Sequence, residues 1–208
     1  MTSEQTPPPA GPSHGAETKA KEVARKPEAT DASDHPWVRS LRAALPDAVV
    51  SAKEFARQVT VTVRREAIAR VATHLKDVED FKYCVDVTAV DWRQRQPRFD
   101  VVYHFYSFSK NDRLRVKCGV AEQEEVPSIA TVYLAANWPE RETYDMFGIR
   151  FTGHPDLRRI LTWEGFHGHP LLKDFPVEGI DTGAAIYPEE WPEGGGPATD
   201  DPNRKLVS

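Results

Sequence analysis

Phe99-Asp100-Val101-Val102-Tyr103-His104-Phe105-Tyr106 has a period of two: Phe99, Val101, Tyr103 and Phe105 share one face, with Val102, Tyr106 and Phe108 opposite. That alternation predicts a strand. Phe81, Tyr83, Val85, Val87 and Ala89 predict one face of a strand before it. Leu114, Val116, Cys118 and Val120 predict one after it, with Arg113, Arg115 and Lys117 facing outward. The links Gln94-Arg95-Gln96-Pro97 and Lys110-Asn111-Asp112 are short, as antiparallel hairpins require. Upstream, Val59, Val61 and Val63 alternate with Gln58, Thr60 and Thr62, a further strand. Ile68, Val71, Ala72 and Leu75 then predict a helix over residues 65–76. Leu41, Ala44 and Leu45 suggest a short helix after Trp37, closed by Pro46. The expected fold is α+β: a small mixed or antiparallel sheet in strand–helix–meander order, with its helices on one face.

The chain has 208 residues, enough for one domain with tails. Before Trp37 there is no Phe, Trp or Tyr, so residues 1–36 are expected to be a disordered tail. Residues 37–150 are expected to form the globular domain and residues 151–187 an extended arm. Residues 188–208, with four prolines and Gly194-Gly195-Gly196, are expected to be a flexible acidic tail. Residues 1–35 hold 4 basic and 6 acidic side chains, and residues 176–208 hold 2 and 7. The near-neutral middle is no nucleic-acid footprint. No apolar run is long enough for a transmembrane helix, and no secretory signal is evident. Cys84 and Cys118 are too few for a disulfide scaffold, a Cys-only zinc site or an iron–sulfur cluster, and read as sheet thiols.

Asn137-Trp138-Pro139-Glu140 reads as a helix start, with Asn137 as cap, Pro139 in the first turn and Glu140 at the capping-box position. Gly148 ends that helix, and Arg141 and Asp145, four apart, are placed to pair. Beyond Gly148 neither period persists for some 30 residues, which is typical of functional or partner-bound segments. It predicts an extended arm lying against another protein.

Glu140-Arg141-Glu142, Asp145-Met146-Phe147-Gly148-Ile149, Phe151, His154-Pro155-Asp156-Leu157-Arg158-Arg159-Ile160-Leu161, Gly168-His169-Pro170-Leu171 and Lys173-Asp174-Phe175-Pro176 follow in order. Together they resemble the signature of the C subunit (30 kDa subunit family) of bacterial NADH–quinone oxidoreductase, respiratory complex I. The resemblance runs from about Trp37 to Val177, and Leu172 departs from it where many members have Arg. It implies a non-redox structural and assembly subunit of the peripheral arm, without cofactor of its own; flavin and iron–sulfur clusters would sit in partner subunits. It implies docking on the quinone-site D subunit, beside the B subunit, peripherally on the cytoplasmic side of the inner membrane. The end at Ser208 resembles the stand-alone form, not the version fused to D.

Under that resemblance Glu140, Arg141, Glu142, Asp145, His154, Asp156, Arg158, Arg159, His169, Lys173 and Asp174 are the expected interface residues. No catalytic residue, metal ligand or nucleic-acid contact is expected in the chain. A related subunit of a membrane-bound hydrogenase, or of a ferredoxin- or deazaflavin-linked dehydrogenase, is the second reading. A free-standing metal enzyme on His154, Asp156, His167 and His169 is the third. Against it, His154-Pro155 and His169-Pro170 are turn dipeptides without ligand spacing. Glu140 and Glu142, two apart on a helix, diverge and do not form an acid–base pair. Trp163 and Phe166 are either partner anchors or packed on the chain itself.

Overall fold

The computed structural model describes residues 28–163 and 165–179. Residues 1–27 and 180–208, which hold most of both expected tails, lie outside the described residues. The main sheet comprises β1 (Thr30–Asp31), β2 (Val49–Phe55), β3 (Gln58–Val63), β4 (Tyr83–Asp91), β5 (Phe99–Ser107) and β6 (Asp112–Val120). Their order is β1-β2-β3-β6-β5-β4. The helices are α1 (Pro36–Ala44), α2 (Ile68–Asp77) and α3 (Asn137–Phe147), and β7 (Glu125–Pro127) pairs in parallel with β8 (Arg150–Thr152).

The meander β4-β5-β6 is antiparallel, as the short links require. β3 joins β6 in parallel, Val59 opposite Leu114 and Val63 opposite Cys118. A parallel pair needs a long crossover, here supplied by α2 and the hairpin β4–β5. Val59, Val61 and Val63 face inward with Ile68, Val71, Ala72 and Leu75 of α2, in one buried cluster with Phe81, Tyr103 and Phe105. The fold is α+β, with a six-stranded mixed sheet and three helices. Cys84 and Cys118 are free thiols buried in it, and burial pushes both up to about 12.

Three local expectations are corrected, and one strand, β2, goes unread in the sequence. β2 carries no clean alternation, yet it forms because Ala56 and Arg57 both take positive φ (50° and 62°) in a two-residue hairpin into β3. The usual Asn-Gly signal for such a turn is missing. β1 lies inside the stretch expected to be disordered: Thr30 and Asp31 pair with Glu54 and Lys53, and Ala32 is buried. In β4 the ladder register shifts between Cys84 and Asp86. This bulge reverses the alternation, so Cys84, Val87, Ala89 and Asp91 point inward while Tyr83 and Val85 face solvent. Finally, Asn137 does not cap α3. A 3-10 turn, Leu134–Ala136, leads directly into the helix, and Asn137 already has helical angles (φ −53°, ψ −55°).

Candidate functional site

α3 sends its buried polar side chains in two directions. Glu140, far from closing a capping box, is fully buried. Its Oε1 accepts from the Ile129 amide (2.8 Å) and its Oε2 from the Ser128 hydroxyl (2.5 Å). Burial raises its pKa to about 7, with these two donors opposing the rise. His154 Nδ1 accepts the Asp156 amide (3.0 Å), so Nε2 carries the proton and donates to the Asn137 carbonyl (3.0 Å). That nitrogen lies 4.0 Å from Glu140 Oε2, and neither side chain reaches solvent.

Asp145, also fully buried, organises the chain after β8. Its Oδ2 accepts the amides of Ile160 (3.1 Å), Leu161 (2.8 Å) and Thr162 (2.8 Å). Its Oδ1 receives Arg159 Nη1 (2.7 Å) and the Thr162 hydroxyl. Burial alone would raise this carboxyl; the Thr162 hydroxyl and the three amides outweigh it and hold Asp145 well below the usual carboxylate range. Arg141, expected to pair with Asp145 along the helix, instead donates to the carbonyls of Arg158 (3.1 Å) and Arg159 (3.0 Å). Both side chains thus grip the same turn. A backbone without a ladder needs its donors and acceptors satisfied, and this outcompetes a surface i,i+4 pair.

Further along, Arg159 Nη2 donates to the Gly168 carbonyl (2.9 Å) and His169 Nδ1 to the Asp145 carbonyl (2.8 Å). The His169 ring lies over Gly148, whose φ of 77° ends α3. A Cβ there would stand 2.7 Å from His169 Cδ2. Gly148 therefore serves both a left-handed C-cap and a close approach.

A second latch closes the end of the segment. Arg98 bonds both oxygens of Asp91 (2.8 and 2.7 Å), reaches Asp174 (2.6 Å) and touches Glu122. Arg93 Nε adds a contact to Asp174 (2.7 Å), and Asp91 Oδ2 accepts the Lys173 amide (2.9 Å). The Arg98 guanidinium holds Asp91 well below the carboxylate range, and Asp91 in turn raises Arg98.

The expected interface residues therefore divide. Glu140, Asp145 and His154 are enclosed by their own domain. Arg141, Arg159 and His169 are half-buried and hold the segment; Asp174 joins the second latch. Glu142, Asp156, Arg158 and the Lys173 side chain are exposed, with Arg158 paired to Asp156 (2.9 Å). From His154 to Phe175 the chain is thus fastened to its own domain. Arg98, Asp91, Ser128 and Thr162 do not stand out in the sequence. An acidic Asp91 in step with the inward Val87 and Ala89 is the one available signal.

Apolar side chains stand exposed on the same elements. Leu134 in the 3-10 turn and Trp138 at the start of α3, four apart, are 86 % and 70 % exposed, and Leu161, Trp163 and Leu171 are at least half exposed. Phe166 instead stacks on Phe175 (5.9 Å) beneath Arg159. Among the described residues no three His, Cys, Asp or Glu side chains converge as metal ligands would, and no helix is long and apolar enough to cross a membrane.

These features define a class: a small α+β domain whose C-terminal segment is clamped by buried carboxylates beside exposed apolar side chains. The chain belongs to the family described as respiratory-chain NADH dehydrogenase, 30 Kd subunit, whose model matches residues 61–181. It is 54 % identical to the C subunit of NADH-quinone oxidoreductase from Rhodobacter capsulatus over 136 residues, 64 % of this chain and 68 % of that one. It is 49 % identical to the protein of the same name from Geobacter metallireducens over 144 residues, 68 % of this chain and 89 % of that one. Among solved structures, a chain of the membrane-bound sulfane sulfur reductase, an archaeal respiratory membrane complex, superposes with a TM-score of 0.51. The match has 24 % identity over 61 % of this chain and 74 % of that one, and shows the fold alone. The family is one of subunits of a multi-subunit respiratory enzyme.

Proposed function

We propose that this chain is a non-redox structural and assembly subunit of the peripheral arm of proton-translocating NADH–quinone oxidoreductase. It docks on the quinone-site D subunit next to the B subunit, on the cytoplasmic side of the inner membrane, while flavin and iron–sulfur clusters reside in partner chains. The observation that carries this reading is the pairing of exposed Leu134, Trp138, Leu161 and Leu171 with a backbone immobilised by Asp145 and Arg98. A surface ordered before binding loses little conformational entropy on docking, and exposed apolar patches mark contact sites. Glu142, Asp156, Arg158 and Lys173 supply the polar rim.

Affinity purification of the tagged chain from detergent-solubilised host membranes tests the reading. The expected result is co-recovery of the D, B and flavin-bearing subunits with NADH–quinone activity, reduced when Leu134→Asp and Trp138→Asp are combined. Recovery of a nickel-bearing large subunit, or of the chain alone, overturns it. The roughly 50 % identity to subunits named for NADH–quinone oxidoreductase favours this over the hydrogenase-type reading.

A further inference from the structure

The two faces of the sheet contrast sharply. The inner face packs on the helices in one apolar cluster. On the outer face the central strand β6 sends out Arg113, Arg115 and Lys117, opposite Tyr106, His104 and Val102 of β5. Arg113 lies over the Tyr106 ring, and Arg115 Nη2 donates to the neutral Gln58 Oε1 (2.7 Å). Among the described residues no carboxylate forms an ion pair with any of these three cations.

Beside them stands an aromatic cluster. Phe108, 72 % exposed, meets Tyr106 edge-on at 4.8 Å and Tyr83 at 5.8 Å. The β4 bulge contributes to this surface by turning Tyr83 and Val85 outward. With Arg113, Arg115 and His104 these residues line a groove of about 530 Å³. Burial, and after it the Arg115 charge, lowers the His104 pKa; Lys117 adds to this and Asp86 opposes it. An aromatic groove under unbalanced positive charge fits an acidic peptide carrying aromatic side chains.

The chain itself carries such a sequence. Tyr187-Pro188-Glu189-Glu190-Trp191-Pro192-Glu193 interleaves two aromatic residues with three carboxylates, and residues 180–208 hold six acidic and two basic side chains. Reach is ample. Asp174 is fixed at Arg98, by the start of β5, and Arg113 lies about 25 Å along the strands at the usual rise per residue. The fifteen residues from Asp174 to Glu189 span up to about 50 Å when extended. A tethered segment meets such a groove at an effective concentration of about millimolar.

We propose that residues 187–193 dock in this outer-face groove, Glu189, Glu190 and Glu193 facing Arg113, Arg115 and Lys117, with Tyr187 and Trp191 against the Tyr83–Tyr106–Phe108 cluster.

Zero-length carbodiimide coupling of the full chain at high dilution, read by mass spectrometry, tests this. The expected products join Lys117 to Glu189, Glu190 or Glu193. Their yield is independent of protein concentration and falls about tenfold in 1 M salt, where the screening length is about 3 Å. The yield falls equally in a chain carrying Arg113→Glu and Arg115→Glu, with circular dichroism confirming that it folds. A second readout leaves the groove intact: the His104 imidazole, followed by NMR, titrates at higher pH in the native chain than in one with Glu189→Gln, Glu190→Gln and Glu193→Gln. Absence of these cross-links, or identical His104 titrations, overturns the proposal. So does the purified complex if Lys117 couples there to a different subunit in place of residues 189–193.

Discussion

The strand–helix domain and the segment from His154 to Phe175 are held by different forces. In the domain, Tyr103, Phe105, Ile68, Leu75 and Val116 exclude water from one another. The strands satisfy their own backbone groups through ladders. The segment has almost no ladder of its own, and Asp145, Arg141, Asp91 and Arg98 replace one side chain by side chain. Apolar packing is diffuse and tolerates single losses, whereas a clamp of this kind depends on a few atoms.

The sharpest way to break the comparison is Asp145→Ala. It strands Arg159 and three amides, and is expected to cost about 3–5 kcal/mol, the range for removing one partner of a buried pair. Urea denaturation measures the loss. Hydrogen exchange should show residues 158–169 opening while β4, β5 and β6 stay protected; equal loss in both regions would make them one cooperative unit.

Glu140 tests the opposite electrostatic sign. Its carboxyl is raised to about 7, so the fold binds its proton more tightly than the unfolded chain does. Its stabilising contribution is fully present below the ordinary glutamate pKa and is lost as pH rises through about 7. The difference amounts to about 3 kcal/mol, and Glu140→Gln should remove that slope from denaturation curves between pH 4.5 and 7. Asp145, held low, behaves inversely: its contribution is present above the ordinary carboxylate pKa and disappears on acidification.

Arg98→Ala unpairs Asp91 and leaves Asp174 held by Arg93 alone, and should cost about 2 kcal/mol. Trypsin cleavage after Lys173 should accelerate while cleavage within the sheet stays slow. Gly148→Ala places a Cβ against His169 at a left-handed φ and should lower stability by about 1 kcal/mol or more. The smallest stability effect is expected for Leu134→Ala combined with Trp138→Ala: within about 0.5 kcal/mol in the isolated chain, since both are exposed. Native gels of membranes should nevertheless show less assembled complex.

Legibility in the sequence follows the same division. The meander, β3 and α2 are written as periods of two and 3.6, because each buries one face against a common core. β2 is hard to see because its hairpin turn uses Ala56 and Arg57 at positive φ, and the β4 face reads wrongly because one bulged residue reverses the alternation. Arg141, Asp145 and Arg159 are conspicuous, but each reaches backbone atoms 9 to 18 positions away, which no spacing rule encodes. Hence Arg141 and Asp145 look like partners of each other when both grip residues 158–162. The family signature marks the stretch as special without indicating that its most buried members face inward.

The parallel seam between β3 and β6 has a consequence for the newborn chain. Val63 is synthesised 57 residues before Val120, and the strand that must lie beside it is the last of the six to be made. At about 5–20 residues per second, β2 and β3 wait several seconds on the ribosome with an unpaired edge. Throughout that interval the alternation of Thr60 and Thr62 with the valines leaves a half-polar edge, less inviting to neighbouring nascent chains than an all-apolar one.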